Sequence, residues 1–576
     1  MIEDIYDPLS EYQNVFSKRF KDVAEDTFAE LATEAKVDIK TNQETCRLIY
    51  FTEEKLASVK SYIGWWTALC VLLWLGIAGG SIAGGFMAQK IDLWVLAVIF
   101  AVSLAALLLL FLKVHPKLKE LKSERERLST QIKEQKNKAW EQMASLNRLY
   151  DWDVLTRMME KTVPRLEFDP YFTTQRLADL KVTYGWDDSF NADRSVLYSH
   201  SGLINGNPFI ICRTKRMQMG SKTYQGFKTI SWTTRERGSD GKYHTVHHSQ
   251  TLSATVSAPY PEYFEKTRLI YGNTAAPDLV FYRKQSNLAG EEGSFAYRRT
   301  RRQLRRKAND LTKSDFAMMT NEEFEVAFDT RNRNNNQQFA LLFTPLAQEN
   351  ILRLLKDRQV GYGDDFDFYK NKMINIIIPD HMQELNLDMN PAQYRHFDYE
   401  KAKKEFQEIN AEYFKAIYFS LAPLLCVPMY QQIRPLEAIY GRNTLRRSSF
   451  WEDESLANFW GEDRFKHPSC VTDSILKTEK RDVGNGDSVI TVYAYGYRRR
   501  QRLTYVSVWG GDGRSHQVPV YWDEYISVTG QGSIRIREDN DFEDNAISQR
   551  ERIDHINTVL NNAHLNIYRR HIASKV

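Results

Sequence analysis

Three histidines, His244, His247 and His248, stand within five residues, and imidazole nitrogens are common zinc ligands. On a strand, alternation turns His244 and His248 to one face and His247 to the other. No Asp, Glu or Cys stands beside them at ligand spacing, so the reading is a strand surface and not a metal site. The acidic run 539–544 opens like a calcium loop but lacks the glycine at its sixth position and the closing glutamate, and reads as a surface loop. Gly220-Ser221-Lys222-Thr223 lacks the glycine order of a phosphate loop and reads as the lead-in to a strand. The five cysteines, Cys46, Cys70, Cys212, Cys426 and Cys470, are odd in number and scattered, as reduced thiols are. No nucleophile elbow, zinc-protease helix or dinucleotide glycine pattern occurs. No catalytic residue, metal or cofactor is named from the sequence.

Charge supplies the other candidates. Arg298, Arg299, Arg301, Arg302, Arg305, Arg306 and Lys307 place seven cations in ten residues, and Arg498, Arg499, Arg500 and Arg502 form a second group read as the tip of a hairpin. The first group is open to three readings: a solvated helix face or a structural partner for Asp364, Asp365 and Asp367, a surface for anionic lipid, or one for acidic protein or nucleic acid. The chain as a whole is not a polyanion binder, because 78 Lys and Arg oppose 74 Asp and Glu, a net charge of +4.

The elements that position these groups begin with an apolar island. Residues 61–88 and 93–112 are free of charge and separated by four residues, and each is long enough to cross a bilayer core of about 30 Å as a helix, with spans at about 64–88 and 93–112. Lys55 and Lys60 precede the pair and Lys113, Lys117, Lys119 and Lys122 follow it, against Lys90 in the link. That bias places both termini on the cytoplasmic side. Gly76, Gly80 and Gly84, spaced by four, leave one helix face bare for close approach of a second helix, within the chain or between chains. Neither span carries a charge, so the pair reads as an anchor without an ion path.

Around the anchor, residues 1–60 read as helices, the second beginning near Thr41 and running into the first span. Residues 113–163 read as a helical stalk with an apolar stripe at Val114, Leu118, Leu121, Leu128, Ile132, Ala139 and Leu146. Arg125, Gln135 and Gln142 interrupt that stripe, which favours packing on the N-terminal helices over an independent zipper. As one straight helix, the stalk would hold the head about 75 Å from lipid, many Debye lengths away. From 164 the texture turns to β: a β-rich domain at 164–315, an α+β module at 316–440 and a second β-rich domain at 441–545. Residues 546–576 read as a C-terminal amphipathic helix. Two turns share the pattern Gly-x-Asp-Gly-[Lys/Arg]-x-His-x-Val, at 238–246 and 510–518, and either a duplicated β module or the common demand of tight turns accounts for it. Within the module, 324–328 and 339–343 read as strands, and Thr344 caps a helix with Pro345 at its first position.

Phe324, Glu325, Phe328, Leu342, Thr344 and Pro345, following two spans and a charged helix, resemble an uncharacterised family of bacterial two-span membrane proteins over about residues 50–380. In that family an FE..F strand leads to an llTP helix start. The resemblance implies a bacterial plasma (inner) membrane protein and a LemA-like membrane protein as partner, and it transfers no catalytic residue. The basic hairpins after residue 440 have no counterpart in it.

The sequence therefore predicts an α+β membrane protein: a transmembrane helical hairpin, a helical stalk and a β-rich cytoplasmic head. Its predicted role is a non-catalytic scaffold that binds a protein partner or forms a homo-oligomer. The alternatives are a membrane-tethered enzyme and a sensor or secretion component that binds anionic lipid or nucleic acid.

Overall fold

The computed structural model describes residues 4–87, 93–237, 242–310, 316–387, 390–435, 447–484, 487–538, 565–568 and 571–575. The chain is mixed helix and sheet and divides into two units: Ala24–Tyr150 with Pro391–Ile409, and Met1–Val23 with Asp151–Asn390 and Asn410–Val576. Among the described residues the α-helices in chain order are α1 (Pro8–Glu11), α2 (Ser17–Glu34), α3 (Ile39–Met87), α4 (Leu93–Leu109), α5 (His115–Leu149), α6 (Val154–Thr162), α7 (Thr174–Tyr184), α8 (Phe295–Asn309), α9 (Glu322–Phe328), α10 (Asn336–Leu342), α11 (Pro345–Lys356), α12 (Tyr399–Leu425), α13 (Pro428–Gln432) and α14 (Phe450–Trp460).

In the smaller unit α3 is one continuous helix from the N-terminal region into the first apolar segment, as the sequence reading has it. Two helical stretches, within Ile39–Gly79 and Phe100–Leu149, are long and apolar enough to cross a membrane. Between α4 and α5, Leu110–Val114 forms a π turn in which the His115 N–H reaches the Leu110 carbonyl. Pro116 brings no N–H to the next position, so one residue of slack is absorbed there without breaking the rod. The α5 stripe Leu118, Leu121, Leu128, Ile132, Ala139 and Leu146 is buried, and α5 pairs with α3. Gln142, which breaks the stripe, donates to Thr45 Oγ1 at 3.1 Å and accepts from Asn42 at 3.3 Å, so the interruption is a polar cross-link to α3.

Among the described residues the larger unit holds two antiparallel sheets. The first has order β1-β2-β3-β4-β7-β6-β5, from Leu166–Phe168, Arg194–Ile204, Asn207–Arg237, Tyr243–Gly272, Val280–Arg283, Phe366–Asn371 and Ile374–Pro379 taken as β1 to β7 in chain order. The second has order β11-β12-β10-β9-β8, from Ile475–Gly484, Asp487–Trp509, Ser515–Glu538, Leu565–Tyr568 and His571–Lys575 as β8 to β12. Strands β6 and β7, from the segment read as a separate α+β module, complete the sheet begun in 164–315, so the first sheet runs across that boundary.

Helix α14 joins the two cores. Trp451 packs with Phe172, Trp186, Val196 and Ile270 of the first sheet's core, and Leu456, Ala457 and Trp460 pack with Leu476, Ile490, Val492 and Ile534 of the second. Between these apolar faces the fully buried Glu454 accepts from the Val196 N–H of β2 at 2.9 Å and from Lys477 of β8 at 3.0 Å. Burial pushes the Glu454 carboxyl up, against the pull of Lys477.

Three expectations are corrected. Residues 324–328 and 339–342 are helical, in α9 and α10, and not strands, and Phe343 caps the end of α10. Phe324 and Phe328, and likewise Phe339 and Phe343, are four apart, a helical period. Phe328, Phe339 and Phe343 close around Phe281 and Phe324 stacks on Phe328, the two four-apart pairs lying at 5.1 and 4.6 Å. Asn321 and Asn335 cap these helices by accepting from Phe324 N and Gln338 N. The C-terminal amphipathic helix is replaced, where residues are described, by β11 and β12, which extend the edge of the second sheet beside β10. The run 539–544 lies outside the described residues. Finally, Arg498–Arg502 is not a hairpin tip: β9 runs unbroken through it, paired residue by residue with Trp522–Ile526 of β10.

Candidate functional site

Strands β3 and β4 stay paired from Phe209↔Tyr271 out to Arg237↔Tyr243, long past the point where β2 leaves β3 at Arg216. At about 3.3 Å per residue, the two-stranded extension from Met217 to Arg237 measures roughly 70 Å. A lone two-stranded ribbon is marginal in water. This one is covered by a second ribbon, β9–β10. Ile230, Leu252 and Ala254 from the first meet Val518 and Val520 from the second, with Tyr224, Trp232, Val256, Val506 and Val508 closing the layer. Gly226 sits where the layers touch: a Cβ there would lie 2.0 Å from the Pro519 carbonyl oxygen. Polar clamps flank the contact, Lys228 Nζ donating to Gln517 O at 3.2 Å and Gly511 N to Gln250 Oε1 at 2.6 Å.

The outer faces of the two ribbons differ. On β3–β4 the outward positions are mostly Thr, Ser and Gln, with Phe227 and, at the far end, Tyr243 as exposed aromatics, and Thr229–Thr251 and Thr223–Ser257 form cross-strand hydroxyl pairs at 3.2 Å. On β9–β10 strict alternation turns Leu503, Tyr505 and Trp509 outward, 41%, 61% and 72% exposed, beside Tyr521 at 56%. Leu503 lies directly across from Tyr521, and Tyr505 across from Pro519. Three aromatics more than half open to water, at 150–250 Å² each, present roughly 350 Å² of ring surface. At the turn of this ribbon His516 donates to both carboxylate oxygens of Asp512 at 3.0 Å and holds that carboxyl below its usual range.

The second basic group lies on this ribbon. Arg502 donates to Glu524 at 2.8 Å, which holds the Glu524 carboxyl low, and Arg499 comes within 3.9 Å of Asp523. The first basic group occupies α8, a helix capped by Ser294. Its carboxylate partner is Glu322 of α9, which receives Arg301 at 2.8 Å and Arg305 at 2.9 Å and is held low by them, Arg305 foremost. Arg299, Arg302 and Arg306 are exposed without a carboxylate partner among the described residues. The proposed acidic partners are elsewhere engaged: Asp364 with Arg283, Asp365 with His381, Asp367 with Tyr282. Tyr297 and Leu304 form the buried stripe that seats α8, with Phe316 and Val326.

Of the glycine face, a Cβ added at Gly76 would meet nothing within 4 Å, so no described atom of the chain covers that position. The surroundings of Gly80 and Gly84 lie outside the described residues. His248 stacks on Trp232 at 5.2 Å and meets Thr234 Oγ1 at 2.7 Å, and no cluster of metal-binding side chains occurs among the described residues. The arginines at 498–502 look like a turn in the sequence and hide the outer aromatic row. Unbroken, its Leu-x-Tyr-x-Ser-x-Trp alternation is the signal. No protein-family model matches the chain, and no curated protein and no solved structure matches it.

Proposed function

We propose that the chain is a membrane-anchored scaffold, its head on the cytoplasmic side, that self-associates through the outer face of the β9–β10 ribbon. The membrane part of this reading is supported by exposure: no residue of the most apolar stretch of Ile39–Gly79 is buried, and Trp65, Leu72, Leu75, Phe100 and Leu112 all stand open. So much contiguous apolar surface is costly in water and favourable in lipid. The lysine bias across the two spans supports cytoplasmic termini. A bacterial plasma membrane and a LemA-like partner rest on the resemblance alone.

The observation that carries self-association is the row Leu503, Tyr505, Trp509 and Tyr521 on a ribbon whose other face is already covered. Roughly 350 Å² of aromatic surface is less than half the ~800 Å² per partner of a stable soluble complex. Confinement of two copies to one membrane raises their effective concentration, which is the setting in which a small face of this kind operates. The test is the mass of the full chain in lipid nanodiscs and mild detergent, by light scattering and by crosslinking in cells. The wild type is expected as an oligomer and a Tyr505→Ser/Trp509→Ser/Tyr521→Ser variant as a monomer with unchanged circular dichroism. A monomeric wild type, or a variant of unchanged mass, defeats the proposal.

A further inference from the structure

Helix α8 is a rod of roughly 22 Å with two unlike sides. Tyr297, Leu304 and Ala308 fall on one side and pack on Leu288, Phe316, Met318 and Val326. The opposite side carries Arg298, Arg299, Arg302, Arg305 and Arg306 over an arc of about 120°, all of them exposed. The cations at the margins have work inside the fold. Glu322 receives Arg301 and Arg305, Arg298 donates to the Gly293 carbonyl at 3.0 Å, and Lys307 donates to the Arg331 carbonyl. Arg299, Arg302 and Arg306, at the middle of the face, meet no acceptor among the described residues. No Asp or Glu occurs from Gly293 to Asn309. Like charges three and four residues apart destabilise a helix, so this row is a cost to the fold that an anion from outside removes.

The residue types narrow the anion. Six of the seven cations in 298–307 are Arg. An anionic bilayer attracts Lys and Arg alike, whereas the planar guanidinium fork matches phosphate oxygens two at a time and the edge of guanine. A helix that lies in a bilayer surface buries its apolar stripe there, and the α8 stripe is already spent on the core. Phe295, 79% exposed, adds one ring at one end of the face and not an apolar side. A helix about 10–12 Å across fits the roughly 12 Å major groove of B-form DNA, which has phosphates along both walls. We propose that α8 is a docking helix for double-stranded DNA, with Arg299, Arg302 and Arg306 directed into the groove and taking up phosphate charge. The surface is separate from the β9–β10 aromatic row, so it stands or falls apart from self-association.

The probe is a fluorescein-labelled DNA duplex of about 20 base pairs, titrated by anisotropy with the full chain in nanodiscs of zwitterionic lipid, from about 50 to 200 mM salt. Binding that weakens steeply with salt is expected. Arg299→Gln/Arg302→Gln/Arg306→Gln is expected to weaken it at least about tenfold at the lower salt and to reduce the slope of log K against log salt by about 2–3, with unchanged circular dichroism. Arg→Lys at the same three positions keeps the charge and recovers the slope. Phosphatidylserine vesicles and polyglutamate are the other arms. Co-flotation of the nanodiscs with the vesicles that the Gln variant abolishes, while duplex binding stays unchanged, assigns the face to lipid and overturns the proposal. Polyglutamate that displaces the duplex at equal charge assigns the face to acidic protein and overturns it too. So does a duplex that fails to bind the wild type, a Gln variant with wild-type affinity and slope, or a Lys variant that leaves the slope unrecovered, which marks the Gln effect as structural.

Discussion

Arg333 and Glu325 face one another through two hydrogen bonds, 2.8 and 3.0 Å long, with neither side chain open to solvent. The guanidinium also donates to Asn336 at 2.9 Å and lies against the rings of Phe316 and Phe339 at 4.3 and 4.1 Å. One ion pair thus fixes the loop between α9 and α10 from both ends. Removing one partner of a buried pair strands a charge, so Glu325→Leu or Arg333→Met alone is expected to destabilise the head by about 3–5 kcal/mol, and Glu325→Leu/Arg333→Met together by less than either single change. Denaturant titration of the four-membered cycle checks this, and strictly additive effects would show that the pair is not coupled.

Lys370 supplies a pH dependence. Its side chain is buried and donates to the carbonyls of Ala275 at 3.0 Å and Lys372 at 2.7 Å, with no carboxylate beside it among the described residues, and burial drives its pKa down to about 7. Between pH 7 and 10.5 the unfolded lysine holds a proton that the folded one has released, so stability rises with pH across that window and is flat below it. Lys370→Met is expected to flatten this slope, gaining on the wild type as pH falls from 10 to 7. Melting temperatures of both proteins across the window are the measurement, and parallel curves would refute the assignment.

Gly226 predicts how the ribbons are held. Gly226→Val drives a side chain into the Pro519 carbonyl, which belongs to backbone and has little room to yield. The layer Ile230, Leu252, Val518 and Val520 opens, and limited proteolysis should cut within 217–237 or 498–521 at least tenfold faster. Gln225→Ala, on the outward face one residue away, is the control and should leave the rate unchanged.

Much of the architecture is legible in residue order where one periodicity dominates. The uncharged runs, the α5 stripe and the Thr344 cap with Pro345 each follow a single rule, and each has the predicted form. The misreadings fall where two rules compete. At 324–328 and 339–343, aromatic β propensity opposes i,i+4 spacing, and the caps Asn321 and Asn335 with the ring cluster around Phe281 decide for helix. At 498–502 a run of charge looks like a turn. The carboxylates Asp523 and Glu524 that accompany it come from the neighbouring strand, a pairing no local window contains. The polar joint between the two sheets depends on contacts such as Asn191 with Glu454, 263 residues apart, and local pattern is silent about them.

The face-to-face packing of the two ribbons also sets a schedule for synthesis. Lys228 and its acceptor Gln517 are 289 residues apart in the chain. At ~5–20 residues per second the first ribbon leaves the ribosome roughly 15–60 s before the strand that covers it exists. For that interval Ile230, Leu252 and Ala254 lie bare along two unpaired strand edges, the arrangement most prone to pairing with another nascent chain. Assembly of the head is therefore a race between completing the C-terminal third and capture of the waiting ribbon, by a chaperone or by a neighbouring copy on the same message.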